Sequence, residues 1–403
     1  MAALLSICTF SLLVSTTLGY NVIRDYSGST FFNGWDFYGA PDNLTLGNVN
    51  WVSEADAMSL DLAYVNNQGH VILKVDNTTN VKIGENRNAI RITTQTAYEL
   101  GSLWLIDANH IPYGCSVWPA FWSFGPKWPD DGEIDIIEAI NLMPANQMAI
   151  HTTPGCTQNG SSTQLGTFGG ITDCSTASGC TVMETSPSSY LSSFAAAGGG
   201  VWATQFEADG INIWFWSRPD VPKSITQSTS TSPLDVTDFG TPHAAFPSTT
   251  CNISQYFSPQ NIVIDTTLCG VWAGLSFAYT PDCGNTGPTG LCVSASHPHM
   301  MQCQADEVLA VKYNDSVVGP GSPRFDNAYW DISYVRTYTS AAVDPPSTAP
   351  PSSSTSGVTT SSPVAAQKSS AQSLNSFCMS LWLALTVYPL CVFFLGGELG
   401  WLL

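Results

Sequence analysis

Residues Trp118–Glu138 read WPAFWSFGPKWPDDGEIDIIE. Three tryptophans, Trp118, Trp122 and Trp128, run ahead of three carboxylates, Glu133, Asp135 and Glu138, and the acids are spaced by Ile134, Ile136 and Ile137. β-Branched residues suit a pleated, half-buried surface, so the run is expected to be a strand. On a regular strand Glu133 and Asp135 share one face and Glu138 falls on the other. A helix would also set Glu133 and Glu138 apart. One extra residue at Ile136/Ile137, a β-bulge, returns all three acids to one face, and bulges commonly re-aim side chains beside active sites.

That face suggests a chemistry. Counting the bulge, Glu133 and Glu138 lie four strand steps apart, about 13 Å along the backbone. Leaning inward, two glutamates there can reach the roughly 5–5.5 Å of a retaining glycosidase. One carboxylate attacks the anomeric carbon, while the other protonates the leaving oxygen and then activates water. Asp135, between them, can share a proton with either and hold their pKa values apart. An acidic surface strand or a calcium-ligand cluster would place polar residues, not isoleucines, in the gaps.

Sugar rings stack on flat aromatic surfaces while their hydroxyls need polar rim groups, so Trp118, Trp122 and Trp128 are candidate substrate-binding residues. Trp118 and Trp122, four apart, share a strand face, and Trp128 sits in the turn Pro126–Pro129 at a cleft edge. His151, on the next strand-like run, is a candidate partner for Asp135 or Glu138. His297-Pro-His299 lacks further close ligands and reads as loop; no metal site is expected.

The remainder of the chain frames this segment. The 403 residues carry a net charge of −19, with charged residues at only 11%. Such a balance argues against nucleic acid and anionic lipid surfaces, which demand basic patches. From Tyr20 to about Thr339, short β-branched runs alternate with Gly, Pro, Asn and Asp: Val71–Val75, Ala89–Tyr98, Gln147–Thr152, Val201–Phe206, Ile211–Trp216, Ile262–Leu268, Val308–Tyr313 and Tyr329–Tyr338. The Asp209-Gly210 step marks a hairpin. An all-β sandwich or barrel with few, short helices follows. Two polar stretches, Thr157–Gly200 and Ser224–Thr250, are expected as binding-site walls, with a disordered insertion as the alternative for the second.

Met1–Gly19 has the apolar core and small terminal residues of a secretory signal peptide. Of the 12 cysteines, nine lie between the signal and the tail, so at least one is unpaired or joined to another molecule. Cys174/Cys180 and Cys283/Cys292 are close enough to close small loops. Sequons at Asn43, Asn77, Asn159, Asn252 and Asn314 fit a secreted, glycosylated surface. After the body, 341–376 is a Pro/Ser/Thr-rich linker, and 377–403 is a hydrophobic tail. It reads as a glycosylphosphatidylinositol-anchor signal, with a transmembrane segment as the alternative.

At these residues the sequence resembles glycoside hydrolase family 16, and within it the fungal laminarinase-like endo-β-1,3(4)-glucanases. Gly132–Glu138 matches that family's E-x-D-x-x-E signature, and Tyr113–Trp122, Gln147–Thr152, Leu268–Gly274 and Asp326–Ile332 look like family segments. Val271 stands where such enzymes often carry an acidic residue. The resemblance covers about Tyr20–Ser340. It implies a curved, concanavalin A-like β-sandwich jelly roll whose concave sheet binds glucan, with Glu133 as nucleophile, Glu138 as acid/base and Asp135 as helper.

The expectation is therefore a secreted, monomeric endo-β-glucanase that needs no cofactor, acts on β-1,3 and mixed β-1,3/1,4-glucans and is tethered to the membrane or cell wall. A structural calcium ion is left open. A cell-wall β-glucan transglycosylase and a catalytically silent glucan-binding module are the alternatives.

Overall fold

The computed structural model describes residues 19–82, 84–160, 163–284, 292 and 317–340. The expected signal peptide (apart from Gly19), linker and tail, the run Val308–Tyr313, the pair His297/His299, Cys303 and Asn314 lie outside the described residues.

Two eight-stranded antiparallel sheets make up the body. The first runs, in spatial order, Thr167–Phe168, Cys180–Met183, Gln147–His151, Glu133–Glu138, Val117–Phe124, Asn261–Leu268, Arg91–Thr94 and Trp35–Phe37. The second runs Ala244–Pro247, Gly210–Ser217, Gly200–Glu207, Ser102–His110, Tyr329–Thr339, Val71–Lys74 and Ala63–Val65, with Asn21–Ser27 also paired to Tyr329–Thr339. The expected all-β jelly roll is thus present. Helices are few, and the longest described one, Ser276–Cys283, has eight residues.

Period-2 alternation explains the stacking. On the first sheet Ile92, Phe121, Ile134, Met148, Ile150, Ile262 and Ile264 point inward; they meet Trp104, Ile106, Trp202, Phe206, Phe215, Trp330 and Val335 of the second. Each such side chain removed from water contributes roughly 1.5–3 kcal/mol. Trp330 also crosses the layer: its Nε1–H donates to the Asp265 carbonyl (3.1 Å) and the Thr266 hydroxyl (3.1 Å) of the first sheet. The predicted hairpin forms with Glu207 opposite Gly210, so Ala208-Asp209 is its two-residue turn.

Two expectations change here. Ser224–Thr250 is neither a cleft wall nor disordered: Ile225, Leu234 and Phe239 pack on the far face of the second sheet against Leu103, Leu105 and Trp214. Cys283 and Cys292 do not pair with each other. Cys283 bonds Cys115 and Cys292 bonds Cys269, while Cys174–Cys180 forms as expected and Cys156 joins Cys251.

Replacing Trp330 with Phe keeps an aromatic ring, though a smaller one, and leaves the Asp265 carbonyl and Thr266 hydroxyl without their buried donor. The variant should lose about 1–3 kcal/mol in urea unfolding, and Trp330→Ala about 3–5 kcal/mol. Wild-type stability in Trp330→Phe would show that the cross-layer bond is idle.

Candidate active site

The Glu133–Glu138 strand is irregular where parity requires it. Against Val117–Phe124, Asp135 faces Trp122 while Ile137 faces Phe121, so Ile136 is the extra residue. Against Gln147–His151, Asp135 faces Ala149 and Glu138 faces Gln147. Ile136 and Ile137 are both fully buried in the core, and Glu138 returns to the face of Glu133 and Asp135. The strand's entry is equally constrained. Gly132 has φ +77°, and a Cβ there would come within 2.3 Å of the Phe257 ring, so only glycine fits.

The expected residues converge on this face. The Trp118 Nε1–H donates to Glu138 Oε1 at 2.9 Å, and the Trp128 indole N–H donates to Glu133 Oε2. His151 lies directly opposite Glu133 in the ladder, and its Nε2 is 3.3 Å from Asp135 Oδ2. Of the two partners expected for His151, the structure selects Asp135. Trp122 turns elsewhere, donating to Asp265 Oδ2 at 3.2 Å. Trp118 and Trp122 are largely covered, whereas Trp128 is 38% exposed and offers the open aromatic face at the rim. From the Thr157–Gly200 stretch, Gly179 abuts His151, since a Cβ there would come within 2.9 Å of the ring. That stretch does contribute to the wall.

Three residues went unnoticed in the sequence. Asp265 interrupts the apolar run NIVIDTTL, the same signal that marks Glu133–Glu138. Arg91 stacks over the Trp122 ring at 5.3 Å and the Tyr38 ring at 4.8 Å, beside Asp265 in the register. Asn146, fully buried, gave no local signal. Its Oδ1 accepts from the Glu138 N–H (2.8 Å) and its Nδ2 donates to the Ile136 carbonyl (2.9 Å). Those are backbone groups at the bulge, and leaving either unsatisfied in the interior would cost about 1–3 kcal/mol.

Electrostatics follow from crowding. Burial first, then the neighbouring Asp135, raises Glu133 to about 8 and holds Glu138 well above the usual carboxylate range. For His151, burial opposes the charge, but Asp135 and the glutamates outweigh it and raise the imidazole to about 9. The histidine is therefore cationic at neutral pH. Burial also raises Asp265 to about 7, with Arg91 opposing. Glu133, Asp135 and His151 each bring one ligating atom within 4.8 Å of the others. Glu138 stands outside that cluster, so the imidazolium favours Glu133 as the ionised partner.

Residues 35–302 match the model of the XgeA-like, catalytic GH16 domain. The chain belongs to glycoside hydrolase family 16. A probable endo-1,3(4)-beta-glucanase of Neosartorya fischeri is 36% identical over 325 residues, 79% of this chain and 45% of that protein. A probable glycosidase of Schizosaccharomyces pombe is 34% identical over 79% of this chain and 69% of its own length. The chain thus spans about half the length of the Neosartorya and Aspergillus relatives it matches. Among solved structures, laminarinase 16A from Phanerochaete chrysosporium, with beta-glucans in both donor and acceptor sites, superposes with a TM-score of 0.67 at 32% identity, covering 79% of this chain and 99% of that one. An elongating GH family 16 beta-1,3-glucosyltransferase gives 0.68 at 36% identity, covering 79% and 100%.

In this family 16 chain the imidazolium stabilises the carboxylate anions around it. Replacing His151 with Gln removes that charge, so the titrations of Glu133 and Glu138 should move to higher pH, Glu133 the more. With nine glutamates in the chain, carboxyl-labelled carbon NMR can follow them; unmoved or lowered titrations would refute the arrangement.

Proposed function

We propose that this chain is a retaining endo-β-glucanase that cleaves β-1,3 and mixed β-1,3/1,4-glucans. The bulge carries the reading: it brings Glu133, Asp135 and Glu138 onto one open face, with the Trp118 and Trp128 indoles on the two glutamates. The names of the relatives support the substrate class.

In the first step the Glu133 carboxylate attacks the anomeric carbon. The bond to the leaving sugar breaks, and the Glu138 proton passes to that sugar's oxygen. A glycosyl ester on Glu133 results. Glu138, now ionised, takes a proton from water, whose oxygen attacks the anomeric carbon. The ester bond breaks, Glu133 regains its charge and Glu138 its proton. Asp135, paired with His151, biases the proton inventory between the two glutamates. Trp128 offers its exposed ring to a sugar at the rim, while Trp118 and Trp122 form the floor.

The same reading includes secretion through Met1–Gly19 and attachment to the cell surface or wall through the C-terminal tail. The enzyme acts as a monomer and calls on no cofactor. A cell-wall transglycosylase is a second reading, favoured by the likeness to an elongating glucosyltransferase. There the hydroxyl of an acceptor glucan replaces water in the second step.

Laminarin and lichenan digestion tests the proposal. Glu138→Gln should lower kcat by about 10²–10⁴-fold, and Glu133→Gln at least as much. Undiminished cleavage in both variants would overturn the mechanism. New reducing ends matching the bonds cleaved indicate hydrolysis, whereas products longer than the substrate indicate transfer.

A further inference from the structure

A bulge that aims a catalytic side chain must itself be held. We infer that Asn146 is a positioning residue for Glu138, acting through the backbone of the bulge rather than through the carboxyl group. The inference rests on the reading of Glu138 as acid/base.

Its amide spans the irregular segment, accepting from the N–H of Glu138 with one end and donating to the carbonyl of Ile136, the extra residue, with the other. Both contacts are short; the one to Ile136 is buried and the one to Glu138 is partly buried. The residue that bridges them is itself fixed. The Asn146 N–H donates to Ser189 Oγ at 3.1 Å, and its carbonyl accepts from the Glu184 N–H at 2.9 Å. Ser189 Oγ in turn donates to the Ser186 carbonyl at 2.8 Å. The segment 184–189 therefore holds Asn146, and Asn146 holds the bulge. Asn146 immediately precedes Gln147, the residue opposite Glu138, so its side chain lengthens the ladder by one step where the backbone register has slipped. Without the amide, the peptide groups around Ile136 must seek other partners, and the parity that turns Glu138 toward Glu133 loses its support.

This predicts a selective defect. A misplaced acid/base harms reactions in which the leaving group needs a proton, and spares those in which it does not. The test compares Asn146→Ala with wild type on laminarin and on a 2,4-dinitrophenyl β-laminaribioside, whose leaving group departs without protonation. On laminarin kcat/KM should fall by about 10²-fold. On the dinitrophenyl substrate kcat/KM should stay close to wild type. Its kcat should fall because breakdown of the glycosyl ester lacks its base, and azide, an anion that needs none, should restore it. An equal loss on both substrates with no azide effect, or wild-type activity on laminarin, would overturn the inference.

Asn146→Asp gives a second arm if the alanine variant does not fold. It keeps the acceptor for the Glu138 N–H and loses the donor to Ile136. It should retain more laminarin activity than Asn146→Ala. A carboxylate beside Glu138 disfavours its ionised form, so the alkaline limb of kcat/KM should also move to higher pH. A limb that stays put together with an equal loss on both substrates would overturn the inference in this arm. Glu138→Ala is the control. If it shows neither leaving-group dependence nor azide rescue, the acid/base reading itself is wrong; if it shows both and the Asn146 variants show neither, only the role of Asn146 is wrong.

Discussion

One additional residue in the Glu133–Glu138 strand decides how the rest of the molecule is used. Without it, the strand would bury Glu138 among the isoleucines of the sandwich core, where an isolated carboxylate is expensive to hold. With it, Ile136 and Ile137 both enter the core and Glu138 joins the open face. The sandwich supplies the rigidity that makes such an irregularity permanent. Its two sheets meet through large aromatic side chains, including Trp104, Trp202 and Trp330, and Trp330 hydrogen-bonds across the layer beneath the strand that carries Asp265.

The crowded acids are then a consequence of strand geometry rather than of a special pocket. Three buried carboxylates on one short segment cannot all ionise at the usual pH. Burial, and then the charge of Asp135, raises the glutamates, whereas the surrounding carboxylates raise His151 against its burial, and its charge sits on the Glu133 side of the cluster. Two chemically identical side chains thereby acquire different surroundings, which is what a nucleophile and an acid/base require.

Much of this was legible in the sequence. Short strand-like runs between turn residues marked Gln147–His151, Gly200–Glu207, Gly210–Ser217, Asn261–Leu268 and Tyr329–Thr339 to within a few residues, and parity located the bulge. Ser102–His110 was missed because SLWLIDANH holds a single β-branched residue, Ile106, and, covered on both faces, shows no alternation either. Ser224–Thr250 misled because its few apolar anchors, Ile225, Leu234 and Phe239, are widely spaced and gain meaning only against the second sheet. Cysteine spacing could not distinguish Cys115–Cys283 and Cys269–Cys292 from a local Cys283/Cys292 loop, since tertiary proximity and not separation sets the pairing. Asn146 was invisible for the same kind of reason: an asparagine before a strand usually marks a turn, and its real task depends on which backbone groups the neighbouring strand leaves over.

The central claim is that the irregular strand gives its two glutamates distinct tasks, with Glu133 forming the bond to sugar. A 2-deoxy-2-fluoro-laminaribiosyl fluoride slows breakdown of a glycosyl-enzyme and allows it to accumulate, and peptide mass spectrometry then reads the modified residue. The account predicts one glycosyl group per chain, in ester linkage to Glu133, with none on Glu133→Gln. Label on Glu138, or no covalent adduct in an enzyme that still turns over glucan, would contradict it.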